Sequence, residues 1–149
     1  MHHMNRRTAL VAAIAATLML AGCNMGGGPR MGAEGGQVVT LEGRYEVPAV
    51  TTTAVGTANV TVHPDHTVKV KVTVSGMEPT ASHIHEGAAG TNGGVVVPLT
   101  KQGDNEFVSA EGARLTDAQY AAMKAGNLYV NVHSAKHPGG EIRAQLKAP

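Results

Sequence analysis

Val68-Lys69-Val70-Lys71-Val72-Thr73-Val74-Ser75 alternates apolar and polar side chains without a break. Successive side chains of an extended chain point to opposite faces. This stretch therefore puts four valines on one face and Lys69, Lys71, Thr73 and Ser75 on the other. A helix would spread the same valines around its axis. A strand with one buried and one wet face fits the pattern. Just upstream, Val60 and Val62 alternate with Asn59, Thr61 and His63. Between the two runs stands His63-Pro64-Asp65-His66, in which Pro and Asp set the geometry of a hairpin turn. His63 and His66 are expected there as ordinary surface histidines.

The same period continues outward. Strands are expected over Ala81 to Glu86, over Val95 to Leu99 after Gly93-Gly94, and over Glu106 to Ala113. Leu128 to His133 and Glu141 to Leu146 read as a terminal hairpin, joined by the turn-forming run Ser134 to Gly140. One helix interrupts them. Thr116-Asp117-Ala118-Gln119 fits a capping box, with Leu115 and Tyr120 placed as a hydrophobic staple and Gly126 as the stop. With no Trp and one Phe, the core must come from Val, Leu, Ile and Ala. Many short strands and one helix predict an all-β fold, an antiparallel Greek-key β-sandwich with one short connecting helix.

The 149 residues fit one domain with appendages. Arg6-Arg7 followed by apolar Leu10 to Leu20 reads as the start of a secretory leader, too short for a membrane span. It ends in Leu20-Ala21-Gly22-Cys23, which resembles a bacterial lipobox. The expected division is a lipoprotein signal peptide over 1–22, a Gly-rich flexible linker over 23–36 and a folded domain over 37–149. Cys23, the sole cysteine, would carry acyl chains such as palmitate and tether the protein to a membrane. Lipidation leaves no thiol for a disulfide or a soft thiolate site. Asn24 after the cysteine, rather than Asp, points to the outer membrane if the organism is Gram-negative. The protein would then work in the cell envelope, on the periplasmic side of the cytoplasmic membrane.

Without Arg6 and Arg7, ten of the twelve basic residues remain against eleven acidic ones. No basic run offers a nucleic acid its phosphate contacts, so nucleic acid is not expected as a partner. Nor is there a Gly-x-Ser-x-Gly, a His-Glu-x-x-His or a persuasive carboxylate pair. Enzyme activity is not expected.

Histidine is what remains. In Ser82-His83-Ile84-His85-Glu86-Gly87, Ile84 must enter the core, so His83 and His85 point outward together. In Leu128-Tyr129-Val130-Asn131-Val132-His133, the apolar residues share one face while Tyr129, Asn131 and His133 share the other. If these strands are neighbours, His83, His85 and His133 converge, with His137 in the adjoining loop as the least constrained fourth candidate. Imidazole suits copper, zinc and nickel, and two histidines at i and i+2 supply two corners of one coordination sphere. Asn131, Glu141 and Arg143 are expected around this set, Glu141 and Arg143 as an ion pair and Asn131 orienting its neighbours. The opposing reading is a structural network of hydrogen-bonded histidines.

The segments EVPAV (46–50), ASHIHEGAAGTNGGVVVPL (81–99), LTDAQYAAMKAGNLYVNVHS (115–134) and HPGGEIRAQL (137–146) resemble the CHRD domain, named for chordin and widespread in secreted bacterial proteins. The resemblance covers about residues 38 to 147. It includes the family's His-Ile-His, Tyr-Val-Asn-Val-His and Gly-Glu-Ile-Arg, here at 83–85, 129–133 and 140–143. The family varies at the position of His137. The resemblance implies a β-sandwich-like domain and carries no defined biochemical role. The His-x-His strand is also similar to the copper strand of copper–zinc superoxide dismutases, whose other motifs are missing here. The expectation is an extracytoplasmic, lipid-anchored domain that binds copper first and zinc second and buffers or delivers the ion. A protein-interaction or envelope-structural module and a dismutase-like copper enzyme are the alternatives.

Overall fold

A computed structural model of the protein describes residues 36–148. The leader, Cys23 and the linker expected at the N-terminus lie outside the described residues. Among the described residues, eight strands run in chain order: β1 (Gln37–Glu42), β2 (Val55–Val62), β3 (Val68–Ser75), β4 (Pro79–Glu86), β5 (Val95–Gln102), β6 (Glu106–Ser109), β7 (Leu128–Ser134) and β8 (Ile142–Gln145). One helix, α1 (Asp117–Lys124), links β6 to β7, and a single 3₁₀ turn follows β1.

The sheet closes on itself in the order β1-β2-β3-β6-β5-β4-β7-β8, and every pairing is antiparallel. The Greek-key crossing is present: β4, β5 and β6 form a meander, and β7 returns through α1 to lie beside β4. The expected sandwich is corrected to a barrel. Period-two alternation states that one face is buried. It is silent on whether the two ends of the sheet meet, and that is decided by the long-range pairing of Glu42 with Arg143 across β1 and β8.

β3 behaves as its sequence demands. Val68, Val70, Val72 and Val74 are buried, and the residues between them are exposed. β2 answers with Gly56, Ala58 and Val60 on the inner face, small side chains that leave room for the valines. Phe107, Leu41, Ile84, Val130, Val132 and Ile142 complete the interior. Each such aliphatic side chain stabilises the fold by roughly 1.5–3 kcal/mol relative to exposure. A charge at Val72, which is wholly buried, would leave an unpaired ion in that interior.

α1 is capped as its sequence predicts. The Thr116 side chain accepts from the Gln119 N–H at 3.2 Å, and the Gln119 side chain accepts from the Thr116 N–H at 2.9 Å. Leu115 is buried in the core, and Tyr120 packs against it. His66 is not a bare surface histidine. Its ring stacks on Tyr120 with centroids 4.1 Å apart, and its Nδ1 lies 3.3 Å from Asp117, fastening the helix to the β2–β3 turn.

Candidate metal centre

β4 and β7 lie side by side, with His83 opposite Asn131, His85 opposite Tyr129 and Ala81 opposite His133. Ile84 points into the barrel. His83, His85 and His133 therefore share the outer face of two adjacent strands. One nitrogen from each ring lies within 4.8 Å of the other two. A tetrahedral ion with bonds of about 2.0–2.1 Å needs nitrogens about 3.3–3.4 Å apart, so modest ring rotations would close a coordination sphere.

Hydrogen bonds fix which nitrogens are free. His85 Nδ1 lies 3.0 Å from the Gly93 carbonyl, and His133 Nδ1 lies 2.9 Å from the Pro138 carbonyl. A carbonyl only accepts, so both Nδ1 atoms carry protons and both Nε2 atoms keep lone pairs. His85 Nε2 is buried without a partner. His133 Nε2 lies 3.0 Å from His83 Nδ1, which must then donate. Moving the His83 proton to its own Nε2 would leave each of the three clustered rings with a lone pair on one nitrogen. Two of the rings are also biased toward their neutral form. Burial, aided by His133 and His85, lowers the pKa of His83 from its ordinary value. Burial lowers that of His133 too, the Pro138 carbonyl opposing and His85 adding to the effect. Neutral imidazole is the form that ligates.

The expected wet face is corrected. His85 is 8% exposed, Asn131 2% and Arg143 1%. The loop between β4 and β5, residues 87–94, folds over His85 and Arg143 as a flap. Arg143 donates to Thr91 O at 2.9 Å and to Asn92 Oδ1 at 3.2 Å, and the Gly93 N–H donates to the Tyr129 hydroxyl at 3.1 Å. Gly93 must be glycine, because a Cβ there would run into the Glu86 carbonyl oxygen. Tyr129 is layered between partners: the His85 ring lies parallel at 4.9 Å, and the Arg143 guanidinium sits 3.4 Å from the ring centroid. A fixed tyrosine holds the His85 ring in plane.

The remaining expected residues are placed differently. His137 stays out of the three-imidazole cluster. Its backbone N–H bonds the Ser134 hydroxyl, and it lines a recess beside the β7–β8 connection. The Glu141–Arg143 ion pair does not form. Glu141 instead accepts from Thr52 at 2.7 Å and from the Ser134 hydroxyl. Burial alone would raise its pKa, but these bonds, with His137 and Lys136, hold it below the ordinary value. Adjacent outward positions on a strand share a face without sharing partners. Asn131 does sit beside the cluster, opposite His83.

Sequence reasoning missed Glu46. The residue is 6% exposed, and its Oε1 is buried without a partner. Burial pushes its pKa up to about 7, against the pull of Arg143 and of hydrogen bonds from the Val47 backbone and Asn131. The one signal in the sequence is a lone acid in the otherwise apolar EVPAV.

The comparisons with known proteins bear on the whole barrel. No curated protein and no solved structure matches the chain. A family model described as CHRD domain matches residues 38–146. That span takes in the imidazole cluster, the flap, Glu46 and all of the strands except the first residue of β1. Since it covers well over half of the 149 residues, the chain belongs to the CHRD domain family.

Proposed function

We propose that this domain binds a transition-metal ion through His83, His85 and His133, copper first and zinc second, and buffers or delivers it. One observation carries the reading: three rings from two strands place a nitrogen each within 4.8 Å of one another. Two of those rings are oriented from behind by backbone carbonyls, the arrangement that aims a histidine at a metal. An all-imidazole set with no carboxylate favours copper over zinc by the ordinary affinity order. Three neutral ligands leave a fourth position through which an ion can be exchanged. The reading assigns no catalysis to the domain. With Cys23 lipidated, the domain would stand on the envelope side of a membrane, at the outer membrane in a Gram-negative cell.

The test is titration of the folded protein with Cu(II) and Zn(II), wild type against His83→Ala/His85→Ala. Saturable one-to-one binding by wild type alone is expected. Equal binding by both proteins would sink the proposal. A second reading has its own support: the His83–His133, His85–Gly93 and His133–Pro138 bonds already join strands and loops into one network. On that reading the domain is a structural or protein-interaction module. The double variant then loses thermal stability, and metal leaves the wild type unchanged.

A further inference from the structure

The outer layer around the imidazoles contains two buried acceptors that lack a donor. Glu46 Oε1 and Asn131 Oδ1 are both buried without a hydrogen-bond partner. The two side chains meet at Gly140, where an added Cβ would stand 2.5 Å from Glu46 Oε1 and 2.8 Å from Asn131 Nδ2. The amide's oxygen and nitrogen are interchangeable by a flip of the side chain. One hydrogen placed on Glu46 and shared with the Asn131 oxygen satisfies both acceptors at once. With the amide in that flipped orientation an ionised Glu46 satisfies neither, and leaving a buried acceptor unpaired is costly.

The charges in the layer make that proton matter. Three neutral imidazoles would hold the ion, and Arg143 is a buried cation whose partners, Thr91, Asn92 and Gln145, are all neutral. Glu141, the other buried acid among the described residues, is already engaged by Thr52 and Ser134. A divalent ion therefore adds charge to a layer that is already positive, and Glu46 is the acid left to answer it. The groups facing Glu46 are Arg143 from β8, Asn131 from β7, Asn92 from the flap, and Lys136 and His137 from the β7–β8 connection. Asn131, which separates Glu46 from the cluster, is the cross-strand neighbour of His83.

We propose that Glu46 is a neutral carboxylic acid in the metal-free protein, donating to Asn131, and that it releases this proton to solvent when a divalent ion occupies the three-imidazole centre. The resulting carboxylate is countered by Arg143 and by the ion. This inference rests on the metal-binding reading and adds its regulation: retention of the ion becomes pH-dependent through a group that is not a ligand. Its position near pH 7 puts the response in the neutral range. Burial lowers the pKa values of His83 and His133 from the ordinary imidazole value, which separates their titration from that of Glu46.

The experiment is calorimetric titration of Zn(II) into the full chain at pH 6.5, in two buffers of different ionisation enthalpy, for wild type and Glu46→Gln. Wild type should release about one proton more per ion than the variant. Its affinity should climb about tenfold per pH unit up to neutrality, a slope that Glu46→Gln flattens. Equal proton release by both proteins, with binding intact, overturns this inference alone. Absence of Zn(II) and Cu(II) binding by wild type overturns the metal reading along with it. A second measurement needs only the wild type: carbon NMR of carboxyl-labelled glutamate. One carboxyl should titrate near neutrality and shift downward on adding Zn(II). If every glutamate titrates near about 4.3, the ordinary value, the inference is wrong.

Discussion

Glu46 carries a stability consequence of its own, independent of any ion. Its pKa rises from 4.5 to about 7 in the folded protein. Below 4.5 the acid is protonated in both the folded and unfolded chains, so it imposes no ionisation penalty. Between those values the unfolded chain ionises and the folded chain does not, so folding stability falls as pH rises. Above about 7 the loss is complete, on the order of 1–3 kcal/mol. Glu46→Gln keeps a donor for Asn131 and removes the titration. Urea unfolding of the two proteins at pH 5 and pH 8 is the check. The variant should gain on wild type between the two pH values; an unchanged difference would show that Glu46 ionises normally.

At the level of elements, the β7–β8 connection does more than reverse the chain. It delivers the Pro138 carbonyl to His133 and the Ser134 hydroxyl to Glu141, and it brings Gly140 under Glu46 and Asn131. Gly140 has φ +131, and its missing Cβ is the space those two side chains occupy. Gly139 meets nothing within 4 Å. Gly140→Ala should therefore cost at least about 1–3 kcal/mol, while Gly139→Ala stays within about 0.5 kcal/mol. Thermal melts of the pair decide it; similar losses from both would mean that the connection is merely intolerant of side chains. The contrast also separates what was legible in the sequence from what was not. Val68 to Ser75, the Thr116–Gln119 box and the His83–His85 pair declare themselves because their determinants lie within a few residues of one another. The flap over His85, the role of Glu46 and the closure of β1 on β8 depend on partners dozens of positions away. Period two separates inward from outward. It says nothing of what later covers the outward side, which is why Arg143 lies buried under the flap and Asn131 lies buried beside Glu46 and Gly140.

Across the whole molecule, the three clustered histidines bridge the Greek-key crossing. His83 and His85 sit on β4 and His133 on β7, strands that pair with each other but are separated along the chain by β5, β6 and α1. The unfolded chain does not present these three rings together, so an ion bound at the centre favours the folded state. At one hundred times its dissociation constant it adds about 2.7 kcal/mol. For a domain of this size that is on the order of 10 °C in Tm. The effect should have a definite pH profile. His83 and His133 have pKa values below the ordinary imidazole value of 6.5. Their contribution to stability is present above 6.5 and is lost as pH falls through the lowered values, because the folded protein resists protonating them and the unfolded chain does not. The same protonation removes their lone pairs, so the stabilisation by metal should disappear over the same acidic range. Scanning calorimetry of wild type with and without Zn(II), from pH 7.5 down to pH 5 and with a chelator control, tests both statements. A gain that persists undiminished at pH 5, or that survives in His133→Ala, would place the ion elsewhere on the barrel.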